Sequence, residues 1–238
     1  RPPRLTFNFR DADVKVVISG HTHQFYNCTI AGHSVTSASS FGRMITRVAV
    51  TINSVDDTIT SVSATNEIVS RDIARDPGQT RIIAKYAAVA APIANRMAGS
   101  VTGDIRRAAN RAGESALGDV IADAQLASTS PADKGSAVVA FMNPGGIRAD
   151  LIANNRAGSE QPGQVTYSEL FTVQPFSNVM TVETLTGEMI KRLLEQQFGG
   201  LAAGTNRILQ VSSGFTYSYK RNAPAGQHVV PASIAIGG

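Results

Sequence analysis

Cysteine is the scarcest informative residue: Cys28 stands alone in 238 residues. One cysteine closes no internal disulfide and builds no Cys-ligated zinc or iron–sulfur site. Charge is also sparse, at 17% of residues, and the balance of 22 Lys+Arg against 18 Asp+Glu leaves a net charge of +4. That excess suits an anionic ligand such as phosphate but is too small and dispersed for a nucleic-acid partner. Runs of Lys/Arg are missing, and no apolar run is long enough to cross a bilayer. The sequence has neither a Gly-x-x-x-x-Gly-Lys loop nor a nucleophile elbow, so kinase, ATPase and serine-hydrolase chemistry have no support. What is present is enough apolar material for a real core, at 42% hydrophobic residues. The first residue is Arg1 rather than Met, which reads as a chain whose natural start lies upstream.

The chain changes texture near residue 76. Before it lies sheet material. Val14 to Ile18 is a nearly continuous apolar run predicted as a buried strand, Met44 to Ile52 alternates as a second, and Thr58 to Ala64 returns after an Asp56-Asp57 turn. Asp76-Pro77 then supplies an N-cap and a first helical residue. Ile82, Tyr86, Val89, Ile93 and Met97 follow as one helical stripe, which Pro92 is expected to kink or end. A second unit comes next. Ser115 is placed to cap a helix with an apolar face of Leu117, Val120, Ile121 and Ala124. Ala137 to Met142 and Val179 to Leu185 read as strands, Ile190, Leu193, Leu194 and Phe198 stripe a helix after Thr186-Gly187, and Phe215, Tyr217 and Tyr219 alternate late in the chain. The fold class is α/β, equally describable as α+β. Domain boundaries are predicted at 1–72, 73–100 for the linking helix, and 101–238.

Two short segments carry chemistry. Gly20-His21-Thr22-His23-Gln24 directly follows the first predicted strand. Two imidazoles on one loop at a strand's carboxyl end can reach adjacent metal ions, and neutral imidazole suits zinc, manganese or iron. Asn143-Pro144-Gly145-Gly146-Ile147-Arg148 follows a later apolar run. Its paired glycines, Gly145 and Gly146, let backbone approach a ligand, Asn143 offers donor and acceptor, and Arg148 presents a planar fork for phosphate. His33 and His228 lie in polar contexts and read as structural.

Val-Ile-Ser-Gly-His-Thr-His resembles the last ligand motif of the calcineurin-like metallophosphoesterases. The segment from Asn143 to Arg148 resembles the Asn-Gly-Gly-Gly-Ile-Arg motif of the 5'-nucleotidase C-terminal domain, with Pro144 at the first Gly. Arg111-Ala112-Gly113-Glu114-Ser115-x-Leu117-Gly118-Asp119 is similar to that family's Arg-x-x-Glu-x-x-x-Gly-Asn/Asp segment, and Gln174-Pro175-Phe176-Ser177-Asn178 to its Leu-Pro-Phe-Gly/Asn segment. Gly163 to Leu170 matches the lead-in to the latter.

The resemblance implies the C-terminal portion of a 5'-nucleotidase-type phosphohydrolase acting on a nucleotide or nucleoside phosphate. Related members act on 2',3'-cyclic nucleotides, 3'-nucleotides, UDP-sugars or thiosulfonate; Asn143, Arg148 and Phe176 together favour a nucleotide. It also implies that His21 and His23 each bind one of two divalent ions, that Arg111 and Arg148 hold phosphate with Arg107 as a third candidate, and that Phe176 stacks on the base beside Asn143. The earlier Asp-x-His, Gly-Asp-x-x-Asp and Gly-Asn-His-Asp/Glu motifs do not occur, and Asp11 and Asp13 cannot replace them. No catalytic residue is therefore expected here, and the chain alone is expected to be inactive. A later Gly-Gly-Asp-Gly-Phe-like segment with the second aromatic wall is also absent, so the domain is expected to be incomplete at its end. The family's usual location is extracellular, periplasmic or at the cell surface.

Overall fold

The computed structural model describes residues 12–156, 160–199 and 207–237. Asp11 and Gly238 fall outside them. Two compact units divide at Arg81/Ile82.

In the first unit, β1 (Val16–Ile18) pairs in parallel with β3 (His33–Ala38), which pairs antiparallel on its other side with β2 (Phe25–Ile30). Ala31 and Gly32 join β2 to β3, both at positive φ, as a two-residue hairpin turn requires. The central strand is the buried one, with Val35, Thr36 and Ser37 all inaccessible. The edge strand β1 is only half-buried and its Ile18 is 78% exposed, which corrects the expectation of a buried strand. An apolar run shows hydrophobicity but not the number of neighbours a strand will have.

The long hairpin of β4 (Met44–Ile52) and β5 (Ile59–Ile68) runs from Met44 opposite Ile68 to Ile52 opposite Ile59. Along its inner half, half-buried and exposed residues alternate as the pleat dictates. Asp56 Oδ1 accepts from the Thr58 N–H at 3.1 Å and its hydroxyl at 2.7 Å, closing the turn. Asn66 of β5 donates to the Tyr26 and Ser37 carbonyls at 3.1 and 3.2 Å, tying hairpin to sheet.

Helix α1 (Pro77–Ala94) starts as the sequence dictates: Asp76 Oδ1 accepts from the Gln79 N–H at 2.7 Å. Pro92 lies inside the helix, in its last turn, and the helix ends two residues later at Ala94. The predicted stripe from Ile82 to Ile93 is exposed, and Met97 belongs to a strand.

In the second unit, β6 (Met97–Ser100) pairs with β8 (Gln164–Thr166), β7 (Phe141–Met142) with β9 (Gln210–Val211), and β10 (Phe215–Thr216) with β11 (Ala235–Ile236), all antiparallel. The helices are α2 (Ala116–Thr129), α3 (Tyr167–Val173) and α4 (Gly187–Glu195). One core cluster gathers Leu117, Ile121 and Ala122 of α2 with Met142, Ile147, Leu151, Val165 and Val173. A second joins Ile190 and Leu194 of α4 to Phe215 and Val229.

Three expectations are corrected here. The buried face of α2 carries Ala122 and Thr129, while Val120 and Ala124 point outward. Of the run from Ala137 to Met142 only two residues pair as a strand, and Val138 is 70% exposed. Val179 to Leu185 forms no strand, and Val179 is among the most exposed apolar residues. Apolar composition allows a strand, but a partner across the chain must supply the hydrogen bonds.

Candidate functional site

The Asn143–Arg148 loop leaves β7 and closes at once into a single 3-10 turn, Pro144–Gly146. Asn143 Oδ1 accepts from the Gly145 N–H at 3.2 Å, and the Gly146 and Ile147 amides bond back to the Asn143 and Pro144 carbonyls at 3.0 and 3.2 Å. Pro144 occupies the first position of this turn, where its fixed φ is pre-set and no amide is needed. That explains how proline stands where the resembled motif has glycine. With Oδ1 occupied, Asn143 offers a ligand its amide donors.

Ile147 plugs the first core cluster at 4% exposure, burial that stabilises by about 1.5–3 kcal/mol. This anchor fixes the next residue. The Arg148 amide bonds the Val173 carbonyl at 2.8 Å, and its guanidinium donates to the Gly145 carbonyl at 3.2 Å. The same guanidinium lies 5.9 Å from the centre of the Phe176 ring, a cation–π contact. Phe176 remains 52% exposed, so ring surface is left for another flat group.

Arg107 reaches the same loop. Ile105 and Leu151 exchange backbone bonds of 2.8 and 3.0 Å, which brings the two segments side by side. The Arg107 amide then donates to Asp150 Oδ1 at 2.8 Å, and its guanidinium to the Ile147 carbonyl at 3.4 Å. Arg107, Gly145, Gly146, Arg148 and Phe176 thus gather around one loop, with Asn143 at its start. Arg111 is different. Its side chain is exposed and makes no hydrogen bond among the described residues, while its carbonyl accepts from Arg221.

The lead-in to Phe176 is structural. Glu169 and Thr166 form a reciprocal capping box at the start of α3, with the Thr166 amide donating to Glu169 Oε2 at 2.8 Å. Gly163 has φ +81 and any Cβ there would lie 2.7 Å from the Val101 carbonyl, so glycine is required.

Asp119, in the first turn of α2, has its carboxyl pushed up to about 6, first by burial and then by the charges of Glu114 and Asp123. Its Oδ1 is buried without a partner among the described residues. The fold therefore favours the protonated acid. Its contribution to stability is full below pH 4 and is lost as the pH rises through about 6. Without screening a rise of this size corresponds to ~3 kcal/mol, and solvent screening of this half-buried group reduces that to ~1 kcal/mol. Asp119→Asn is expected to raise the melting temperature by about 2–4 °C at pH 7.5 and to leave it unchanged at pH 4. A thermal melt at both values checks this; an equal shift at both would rule out ionisation as the cause.

In the first unit, the backbone bends sharply after β1. The Thr22 amide bonds the Gly20 carbonyl at 2.7 Å, and His21 and His23 both adopt left-handed φ, 66° and 57°. Such backbone is costly for non-glycine residues and recurs at functional loops. Both imidazoles are exposed, and the His23 ring meets Phe41 edge-on at 5.3 Å. Two imidazoles suit zinc or manganese as partial ligands, but such ions need four or more donors. Among the described residues no group of three or more His, Cys, Asp or Glu side chains could hold a metal. His33 and His228 are buried, His228 stacked on Phe198 at 4.3 Å and 3.4 Å from Glu195.

Sequence reasoning missed Gln210, Tyr219 and Arg221, whose side chains bond the Gly113, Ala112 and Arg111 carbonyls. Separations of 97 to 110 residues leave no local signal.

A glycine turn thus lies beside two arginines and an exposed aromatic ring. The sequence model of the 5'-nucleotidase C-terminal domain matches residues 92–238, and the chain belongs to that family. It is 29% identical over 217 residues to Endonuclease YhcR of Bacillus subtilis (strain 168), covering 90% of this chain and 16% of that protein. It is 27% identical over 229 residues to the Trifunctional nucleotide phosphoesterase protein YfkN of the same organism, covering 93% of this chain and 15% of the relative. Among solved structures, a 5'-nucleotidase precursor from Thermus thermophilus shares the fold, with a TM-score of 0.62 and 22% identity over 91% of this chain and 44% of that one. The chain thus spans about a sixth of these curated relatives and under half of the solved neighbour.

Proposed function

We propose that this chain is the nucleotide-gripping portion of a metal-dependent 5'-nucleotidase-type phosphohydrolase. The observation that carries this reading is the Arg148 guanidinium, held by the Gly145 carbonyl and set 5.9 Å from the exposed Phe176 ring. A phosphate on Arg148 and a base on Phe176 belong to one molecule of nucleotide size, with Arg107 and Arg111 adding positive charge and Asn143 a donor to the base. Residues 1–72 are read as a remnant of a metallophosphoesterase domain, 73–100 as the link and 101–238 as the substrate domain; the division at Arg81/Ile82 falls inside that link. Two divalent ions, zinc or manganese by donor chemistry, supply an activated water and charge neutralisation when bound. His21 and His23 are the residues of this chain that would hold them, one each. Hydrolysis would need ligands from a longer protein. An envelope or extracellular location agrees with a neighbour that is a precursor. No helix among the described residues is long and apolar enough to cross a membrane.

The choice of a nucleotide over a sulfur substrate rests on the aromatic wall, since thiosulfonate chemistry has no use for Phe176. Titration calorimetry with AMP, adenosine and thiosulfate tests it. AMP is expected to bind at least tenfold tighter than adenosine, the gain from a charge-assisted phosphate contact, and thiosulfate weakest. Thiosulfate binding as tightly as AMP would overturn the reading.

A further inference from the structure

Three successive carbonyls of the Arg111 turn are held from the late part of the chain. Arg221 Nη2 donates to the Arg111 carbonyl, Tyr219 Oη to the Ala112 carbonyl at 2.9 Å, and Gln210 Nε2 to the Gly113 carbonyl at 3.0 Å. Gln210 is 1% exposed and uses its other amide atom as well: Oε1 accepts from the Ser115 N–H at 2.6 Å and its hydroxyl at 2.9 Å. Within the turn, Asn110 Oδ1 accepts from the Ala112 and Glu114 amides at 2.8 and 3.2 Å. Every carbonyl from Arg111 to Gly113 therefore has a side-chain donor, while the Arg111 side chain itself is exposed and unbonded among the described residues. The backbone is fixed from four sides and the guanidinium is left over.

We propose that Gln210 and Tyr219 are positioning residues for Arg111, holding its turn so that the guanidinium is presented to the phosphate of a nucleotide. This rests on the reading of Arg111 as a phosphate ligand. Binding a phosphate with an arginine on a wandering turn costs the entropy of ordering both backbone and side chain, and a turn already ordered removes the backbone part of that cost. Ordinary fold stabilisation is the competing role for these bonds. The two are separable, because stabilisation alone changes the melting point without distinguishing one ligand from another.

Tyr219→Phe removes one hydroxyl and keeps the ring against Phe198, 5.0 Å away. Gln210→Met empties the buried contacts at similar length. Affinities of the 238-residue chain for AMP and adenosine are measured by calorimetry in both variants, in Arg111→Ala, in Arg148→Ala, and in Tyr219→Phe combined with Arg111→Ala. Tyr219→Phe is expected to weaken AMP binding about threefold to tenfold, the scale of one hydrogen bond, and to leave adenosine unchanged. In the Arg111→Ala background it should cost nothing more, since the two act through one contact. Gln210→Met should lose more than Tyr219→Phe; if it does not fold, Tyr219→Phe carries the test. Wild-type AMP affinity in Tyr219→Phe, with Arg148→Ala still weakened, overturns the positioning role and leaves the nucleotide reading standing. Wild-type AMP affinity in both Arg111→Ala and Arg148→Ala overturns that reading and the inference with it.

Discussion

Arg148→Ala is expected to lower the AMP affinity of this chain about 10- to 100-fold, and kcat/KM of a longer protein carrying it by at least as much. A hydrogen bond to a charged group contributes ~1.5–3 kcal/mol, and a guanidinium can make two to one phosphate. Among the described residues one of its five donors is engaged, by the Gly145 carbonyl at 3.2 Å. The cost to folding should be small, because the anchor of the loop is Ile147 and the Val173 bond uses the backbone amide. Adenosine affinity should fall far less than that of AMP. Arg148→Lys keeps the charge but loses the fork and the stacking on Phe176, so partial recovery is expected. Calorimetry on the three proteins decides it; equal losses for AMP and adenosine would mean the loop had collapsed.

The largest effect on stability is expected from Gly118→Ala. A Cβ at Gly118 would stand 2.3 Å from Gln210 Cγ and 2.4 Å from its Oε1. Gln210 cannot step aside freely, since it is buried and tied to Gly113, Ile208 and both Ser115 donors. Overpacking of this kind costs ~1–3 kcal/mol, and displacing Gln210 strands the bonds at the start of α2. Alanine is the better helix former by ~1 kcal/mol, which offsets part of this. A net loss of ~2 kcal/mol lowers the melting temperature by about 4–8 °C. A melt at or above the wild-type value would show that Gln210 relocates without cost and that glycine is not required by packing.

How far the sequence could be read follows from the range of each interaction. The helix caps at Asp76, Ser115 and Thr186 are local, and each is found where the residue types place it. The loop from Asn143 to Arg148 was legible as a glycine turn after an apolar run, and it is one. Burial was legible only coarsely. On α2, helical spacing admits Val120 or Ala122 on the inner face, and the neighbouring β7 and β9 strands, not the helix, decide between them. The runs at 137–142 and 179–185 have strand composition, yet of these residues only Phe141 and Met142 pair as a strand, with Val211 and Gln210. The support of Arg111 by Gln210, Tyr219 and Arg221 spans about a hundred residues and leaves no mark on spacing.

The most direct test of the chain as the nucleotide-gripping portion of a phosphohydrolase is phosphate release from AMP, with and without added manganese or zinc. It is measured for the 238-residue chain and for a longer protein that carries it behind a metallophosphoesterase domain. The expected result is metal-dependent release by the longer protein alone, abolished or sharply reduced by Arg148→Ala. A fully metallated longer protein that leaves AMP and 2',3'-cyclic AMP untouched would contradict it.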